Sequence, residues 1–213
     1  MPIRTVIDIG AYDGDTGRAF RAIFPEAQIL CFEPQQKQFE KLKHWASQQP
    51  NVQAFQLAIG DCNGDMVLQS FTKLQQFSTM RKLHPNWEWT QQLTERAVEV
   101  TVPIRRLDDA IAHLPLQEPM LIKIDVEGFE LEVIAGAQNT LRKAGICIIE
   151  AHAAEHWVDQ PSIGNLIHAL EPFGLQYAGN LMQQPSKTVG VDYLDALFIN
   201  HDLVQSHVMR KIA

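Results

Sequence analysis

The chain has 213 residues, an apolar fraction of 46%, a charged fraction of 20% and a formal net charge of −7. That is ordinary for one soluble domain able to bury a full core. The acidic balance, with no long basic run, excludes a nucleic-acid backbone as partner.

No apolar stretch approaches the ~20 residues that cross a bilayer, and no basic-then-apolar leader precedes Thr5. Cys31, Cys62 and Cys147 show no Cys-x-x-Cys pairing, and two of them sit in apolar runs. A cytoplasmic protein with reduced thiols and no membrane partner is expected. Val6 to Ile9 reads as a buried parallel strand closed by Gly10, with Gly14 shortly after and helical spacing from Arg18 to Phe24. Strand, tight turn and helix make a cofactor loop. Glycine tolerates positive φ and lets a ligand approach bare backbone, and the free N–H groups that open the helix point at that ligand. The loop departs from the Gly-x-Gly-x-x-Gly of dinucleotide sites, because Tyr12 stands where a second glycine would admit pyrophosphate. Asp8, Asp13 and Asp15 surround the turn with negative charge. Phosphates would be repelled there; S-adenosylmethionine (SAM), with its sulfonium and ammonium and no phosphate, fits better.

Further along, Ala27 to Phe32 reads as a second strand ending at Glu33-Pro34, and Gln35 to Ser47 as a helix with Phe39, Leu42 and Trp45 inward. Val52 to Ala58 reads as a third strand, closed by Ile59-Gly60-Asp61. This β-α-β-α-β run is the first half of a doubly wound sheet. Met66 to Phe71 and Ala97 to Ile104 read as antiparallel neighbours. Between them Thr72 to Arg96 has no clear period but holds Phe77, His84, Trp87 and Trp89, and reads as a lid over an acceptor pocket. Leu107 to Leu114 is a short helix, Met120 to Asp125 a buried strand, Gly128 to Ala137 the start of a helix, and Gly145 to Glu150 a strand. A helix capped by Ser162 runs to Pro172. Leu175 to Ala178 and Tyr193 to Ile199 finish the sheet, and His201 to Ile212 forms a terminal helix.

At Lys123-Ile-Asp-Val-Glu-Gly-Phe-Glu-Leu-Glu-Val-Ile-Ala-Gly-Ala137 the chain resembles the FkbM-type methyltransferase family. The Thr5–Ile9 strand with its Gly10-Ala11 turn, the Phe32-Glu33-Pro34 corner, Ala58–Asp61 and Val102–Asp108 carry the same likeness, which runs from Thr5 to about His152. One departure is Tyr12-Asp13, where family members often have Asn. The resemblance implies a SAM-dependent O-methyltransferase acting on sugars or small metabolites. The fold expected is one α/β domain over residues 1–213, a Rossmann-like doubly wound sheet, mostly parallel with an antiparallel last strand and an irregular insert or lid at about 72–96.

In such a sheet the ligand lies over the carboxyl ends of the parallel strands. Asp8, Gly10, Ala11, Tyr12, Asp13 and Gly14 are assigned to the cofactor turn, with Gly10, Asp13 and Gly14 on the methionine part. Glu33 falls about twenty residues on, where a carboxylate can accept both ribose hydroxyls. Ile59 and Gly60 would line the adenine, Asp61 accepting from its amine, and Asp125 would take the ammonium or approach the acceptor. Methyl transfer to oxygen needs in-line placement at ~3 Å, and a base adds about 10²–10⁴-fold. Asp125, Glu127 and His152 are the catalytic candidates, with Glu150 beside them; the unperturbed pKa of ~6.5 recommends His152. Asp125, Glu150 and His152 could instead gather a divalent metal. Nothing in the spacing forces that, and no metal is assigned. Glu130 reads as a helix N-terminal carboxylate, Lys123 as an ion-pair partner, and His84 and His113 as surface histidines. Trp87 and Trp89 read as a small core or as a stacking face for an acceptor. The alternative function is a SAM-binding but catalytically degenerate fold that serves as a partner-binding module.

Overall fold

Apolar runs that can face water on neither side form the middle of the molecule. The computed structural model describes residues 3–71, 75–95, 97–187 and 190–209. β1 (Thr5–Ile9), α1 (Asp15–Ile23), β2 (Gln28–Phe32), α2 (Gln36–Ala46) and β3 (Val52–Phe55) come first. A smaller unit follows with β4 (Ala58–Ile59), β5 (Gly64–Phe71), α3 (Thr90–Thr94) and β6 (Ala97–Arg105). The chain returns through α4 (Leu107–Ala110), β7 (Met120–Ile124), α5 (Glu130–Gly136), α6 (Gln138–Leu141) and β8 (Ala144–His152). α7 (Ile163–Leu170), β9 (Gln176–Pro185), β10 (Val191–Ile199) and α8 (His201–Met209) complete it.

The main sheet has the order β3-β2-β1-β7-β8-β10-β9. From β3 to β8 every pairing is parallel. β10 pairs antiparallel with both β8 and β9, so it alone runs against the others. This is the doubly wound sheet with an antiparallel last strand that the pattern of elements predicts. All five residues of β1 and of β7 are buried, as parallel strands covered on both faces require. Ile7, Ile9, Ile122 and Ile124 pack with Val133 and Ile134 of α5 and with Leu166 of α7. On the other face Val6, Ile29 and Leu121 pack with Phe20 of α1 and with Leu42 and Trp45 of α2.

Several features differ from expectation, among them the helix expected over Leu107 to Leu114, which stops at Ala110, and the strand expected over Leu175 to Ala178, which runs from Gln176 to Pro185. The predicted strand from Val52 to Ala58 is two strands: β3 stops at Phe55, whose ring stacks on Phe32 at 4.9 Å, and Ala58–Ile59 pairs in parallel with Ile104–Arg105. β5 and β6 are antiparallel neighbours as expected, but with β4 they form a separate three-stranded sheet. The helix expected from Gly128 starts at Glu130, because Glu127 and Gly128 hold φ of 54° and 95° and cannot enter a right-handed helix. Parts of two expected features, residues 72–74 and 96 of the insert and 210–212 of the terminal helix, lie outside the described residues. No described helix is long and apolar enough to cross a membrane.

Asp8 is the anomaly of this interior. It shares a face of β1 with Val6, is 1% exposed, and neither carboxylate oxygen makes a hydrogen bond. Burial pushes its pKa up from 3.8 to about 7, with Lys123 opposing and Asp125 adding to the rise. Between those values the native chain keeps a proton that the unfolded chain has released. The stability this group contributes is therefore complete below about pH 4 and is lost as pH rises toward 7, a span of about 4 kcal/mol at most. Urea midpoints at pH 5 and pH 8 should fall more for the parent protein than for Asp8→Asn; equal falls would place the cost in other groups.

Candidate active site

The site begins where β1 and β7, neighbours in the sheet, end together and their chains part to opposite faces. The Asp125 N–H donates to the Ile9 carbonyl at 3.0 Å, and the Gly10 and Ala11 N–H groups both donate to the Phe32 carbonyl. Gly10 has φ 81°, and a Cβ there would run into the Asp125 carbonyl oxygen. Only glycine meets both conditions. Tyr12 has φ 49°, and its N–H donates to Glu33 Oε2 at 3.0 Å, while Glu33 Oε1 accepts from the Gln35 N–H at 2.8 Å. Glu33 is 3% exposed; burial raises its pKa to about 7 against these donors. Each oxygen keeps acceptor capacity beyond its one backbone bond. Gly10, Tyr12, Glu33, Ile59 and Asp125 line a first chamber, whose other walls include the apolar Leu57, Leu68 and Phe129.

A second, wider cavity of about 710 Å³ adjoins it, and Tyr12, Gln76, Asp125 and Glu127 line both. Its acidic floor comes from the Glu127–Gly128 turn and from β8. The Thr79 hydroxyl donates to the Glu127 carbonyl at 2.6 Å. The Arg81 guanidinium donates to the Gly128 carbonyl and to Glu132, the latter at 2.6 Å. Glu130 Oε1 accepts from the Gly128 N–H at 2.9 Å, and the Trp157 ring packs where a side chain at Gly128 would stand. Glu150 and His152 are two apart on β8 and so share a face.

His152 Nε2 lies 3.3 Å from Glu127 Oε2 and 3.4 Å from Glu150 Oε2. These are ion-pair distances without hydrogen-bond geometry, since neither His152 ring nitrogen makes a hydrogen bond. Burial opposes charge on His152, yet the two carboxylates outweigh it and hold its pKa well above the usual value. Burial likewise raises Glu127 and Glu150, with His152 pulling each back. For Asp125 burial loses to the Lys123 ammonium at 2.7 Å, and the carboxyl falls below its ordinary value.

Of the sequence-assigned residues, Gly10, Tyr12, Glu33, Ile59 and Asp125 line the first chamber, and Tyr12, Asp125, Glu127 and His152 line the second. Asp8 and Ala11 are buried in the core and line neither. Asp13, Gly14 and Gly60 also stand outside the linings; Gly14 backs onto Leu42 and Trp45. Asp61 is exposed, with its carbonyl accepting from Arg106. Lys123 pairs with Asp125 and, at 3.8 Å, with Asp195. His113 is exposed, as expected. His84 is half-buried, with its Nε2 3.4 Å from Glu155 Oε2.

The residues that sequence reasoning passed over are His156, Trp157 and Asp192. His156 Nε2 meets Asp192 Oδ1 at 2.9 Å, and its ring stacks on Trp87 at 4.4 Å. His156 and Trp157 sit in a segment without a period, and Asp192 lies one residue before the strand expected from Tyr193; the only signal was a second histidine four positions after His152. The insert docks on them through a Leu83–Trp157 bridge, and its Phe77, Trp87 and Trp89 wall the second cavity.

In a doubly wound sheet the cleft at the switch in strand order is where a nucleotide or nucleoside ligand binds, and here that cleft opens into an acid-floored cavity. A profile of the methyltransferase FkbM domain matches residues 8–179, and the chain belongs to that family. It is 28% identical over 179 residues to the 2-O-methyltransferase NoeI of Sinorhizobium fredii, covering 82% of this chain and 74% of that one. It is 23% identical to the hexuronic acid methyltransferase AglP of Haloferax volcanii, covering 67% of this chain and 53% of that one. The crystal structure of the methyltransferase FkbM from Methylobacillus flagellatus superposes with a TM-score of 0.57 at 15% identity, over 93% of this chain and 44% of that one. The chain thus spans about three quarters of one relative and about half of the others.

Arg81 ties the insert to the Glu127–Gly128 turn, so Arg81→Ala should lower stability by about 1–3 kcal/mol in chemical denaturation and speed proteolysis within residues 78–95. Unchanged proteolysis would mean that the Leu83–Trp157 bridge suffices to hold the insert.

Proposed function

We propose that the chain transfers the methyl group of SAM to a hydroxyl of a small molecule or glycan. The observation that carries this reading is the junction of the two chambers at Tyr12, Asp125 and Glu127. SAM occupies the first chamber, its ribose hydroxyls donating to Glu33 and its adenine between Ile59 and the apolar wall. Its ammonium faces Asp125, which Lys123 keeps ionised. The acceptor enters the second cavity and presents its oxygen to the methyl group at the shared wall. The oxygen bonds to the methyl carbon as the sulfur–carbon bond breaks, S-adenosylhomocysteine leaves, and the hydroxyl proton passes to the side of the Glu127–His152–Glu150 cluster.

Bound as an imidazolium between two carboxylates, His152 orients that cluster and is not a free base. The Haloferax relative, a hexuronic acid methyltransferase, supports a sugar-like acceptor, and so do the ring faces of Trp87 and Trp89. The insert acts as the lid over that acceptor. The buried thiols Cys31 and Cys147 suit a cytoplasmic setting.

Calorimetric titration should give micromolar binding of SAM and S-adenosylhomocysteine and none of NAD. Glu33→Ala should weaken SAM at least about tenfold with the fold retained. Absence of SAM binding would defeat the reading, and an unchanged affinity in Glu33→Ala would remove the ribose contact.

A further inference from the structure

We infer that Glu127, Glu150 and His152 form a binding site for one divalent metal cation, which takes the acceptor hydroxyl as a ligand; the role, though not the site, rests on the methyl-transfer reading above. One ligand atom from each residue lies within 4.8 Å of the other two. The His152 Nε2 separations from the carboxylate oxygens, 3.3 Å and 3.4 Å, match the ~3.4 Å between two ligands ~2.1 Å from a common ion at the tetrahedral angle. Hydrogen bonds do not explain the arrangement. The His152 side chain is 5% exposed and its Nε2 aims between the two carboxylates, yet neither of its nitrogens, nor Glu127 Oε2, makes a hydrogen bond. Buried charges are paired or ligate a metal, and a cation among the three would satisfy the atoms that these ion pairs leave without a hydrogen bond.

Asp125, the more obvious third carboxylate from sequence, is committed to Lys123 at 2.7 Å. Lys123 in turn is spent on Asp125 and Asp195, which leaves Glu127 and Glu150 without a neutralising lysine. The cation displaces the proton that His152 otherwise holds between Glu127 and Glu150, and two carboxylates with the neutral imidazole that remains suit Mn²⁺, Fe²⁺ or Zn²⁺. The three ligands come from the floor alone, so the remaining coordination positions face the second cavity, the open arrangement of a Lewis-acid site. With the cation bound, the three residues are occupied as ligands, and the coordinated hydroxyl gives its proton to water in the cavity instead of to the cluster. The resulting oxyanion bonds to the methyl carbon, and the sulfur–carbon electron pair leaves with S-adenosylhomocysteine.

The test is a titration of the chelator-treated, dialysed protein with Mn²⁺ alone, following the electron paramagnetic resonance signal of the free ion. One Mn²⁺ per chain with micromolar affinity is expected. Glu150→Gln and His152→Ala should each weaken it at least about tenfold, and Asp65→Asn, an exposed acid, should not. No uptake at millimolar Mn²⁺, or uptake indifferent to both cluster substitutions, overturns the site. SAM calorimetry on the same metal-free protein separates the two readings. SAM binding without Mn²⁺ uptake overturns the cation and spares the cofactor; Mn²⁺ uptake without SAM binding overturns the cation's part in methyl transfer.

Discussion

Two backbones pressed together at the ends of β1 and β7 set the geometry of everything functional in this molecule. Gly10 lies against the Asp125 carbonyl with no room for a Cβ, and the Asp125 N–H closes the contact on Ile9. Past that point one chain turns toward α1 and the other toward α5. A cleft opens there because the strand order reverses direction at this pair. Glu33 reaches the cleft from β2, and its carboxylate splints the glycine turn through the Tyr12 N–H. The turn that would receive a cofactor is thus held by the group that would grip its ribose.

The second cavity is likewise not a free-standing pocket. Its floor depends on a left-handed pair, Glu127–Gly128, a backbone state that costs energy unless its surroundings fix it. Thr79 and Arg81 from the insert and Trp157 from beyond β8 supply that fixation. Wall and floor therefore form one cooperative piece. The same turn divides the acids into two sets: Lys123 takes Asp125 and Asp195, and His152 takes Glu127 and Glu150. Charges that look like one crowd in the sequence are two neutralised groups with different work.

The central strands were legible in the sequence because β1 and β7 are short, mostly apolar runs, broken only by Thr5, Asp8 and Lys123 and bounded by Gly10 and Asp125. The carboxyl-end residues followed from topology alone, so Glu33, Asp125, Glu127 and His152 could be assigned to one end of the sheet, and there they line the two chambers. What it hid were facts of partnership. Nothing in Val52 to Ala58 announces that β3 ends at Phe55 and that the next two residues join another sheet. Asp8, Asp13 and Asp61 looked alike as acids beside the cofactor, yet one is buried in the core, one stands outside both linings and one faces solvent. His152 read as a base of ordinary pKa because its two carboxylate neighbours, one of them 25 positions away in the chain, are set beside it only by folding. His156 and Trp157 lay in an aperiodic stretch whose contacts with the insert are long-range.

Strand order and synthesis order disagree at the far edge of the sheet. β9 leaves the ribosome before β10 but lies outside it, with β10 wedged between β8 and β9. Until Val191–Ile199 has emerged, β8 presents an open edge, and β9 has no neighbour to pair with. The nascent chain cannot close its sheet one strand at a time. It must carry an unpaired β8 edge until Val191–Ile199 is made, and an open edge of that kind invites pairing with other chains. A message cut short within the last strand would therefore yield more than a trimmed enzyme: it would leave the β8 edge permanently bare.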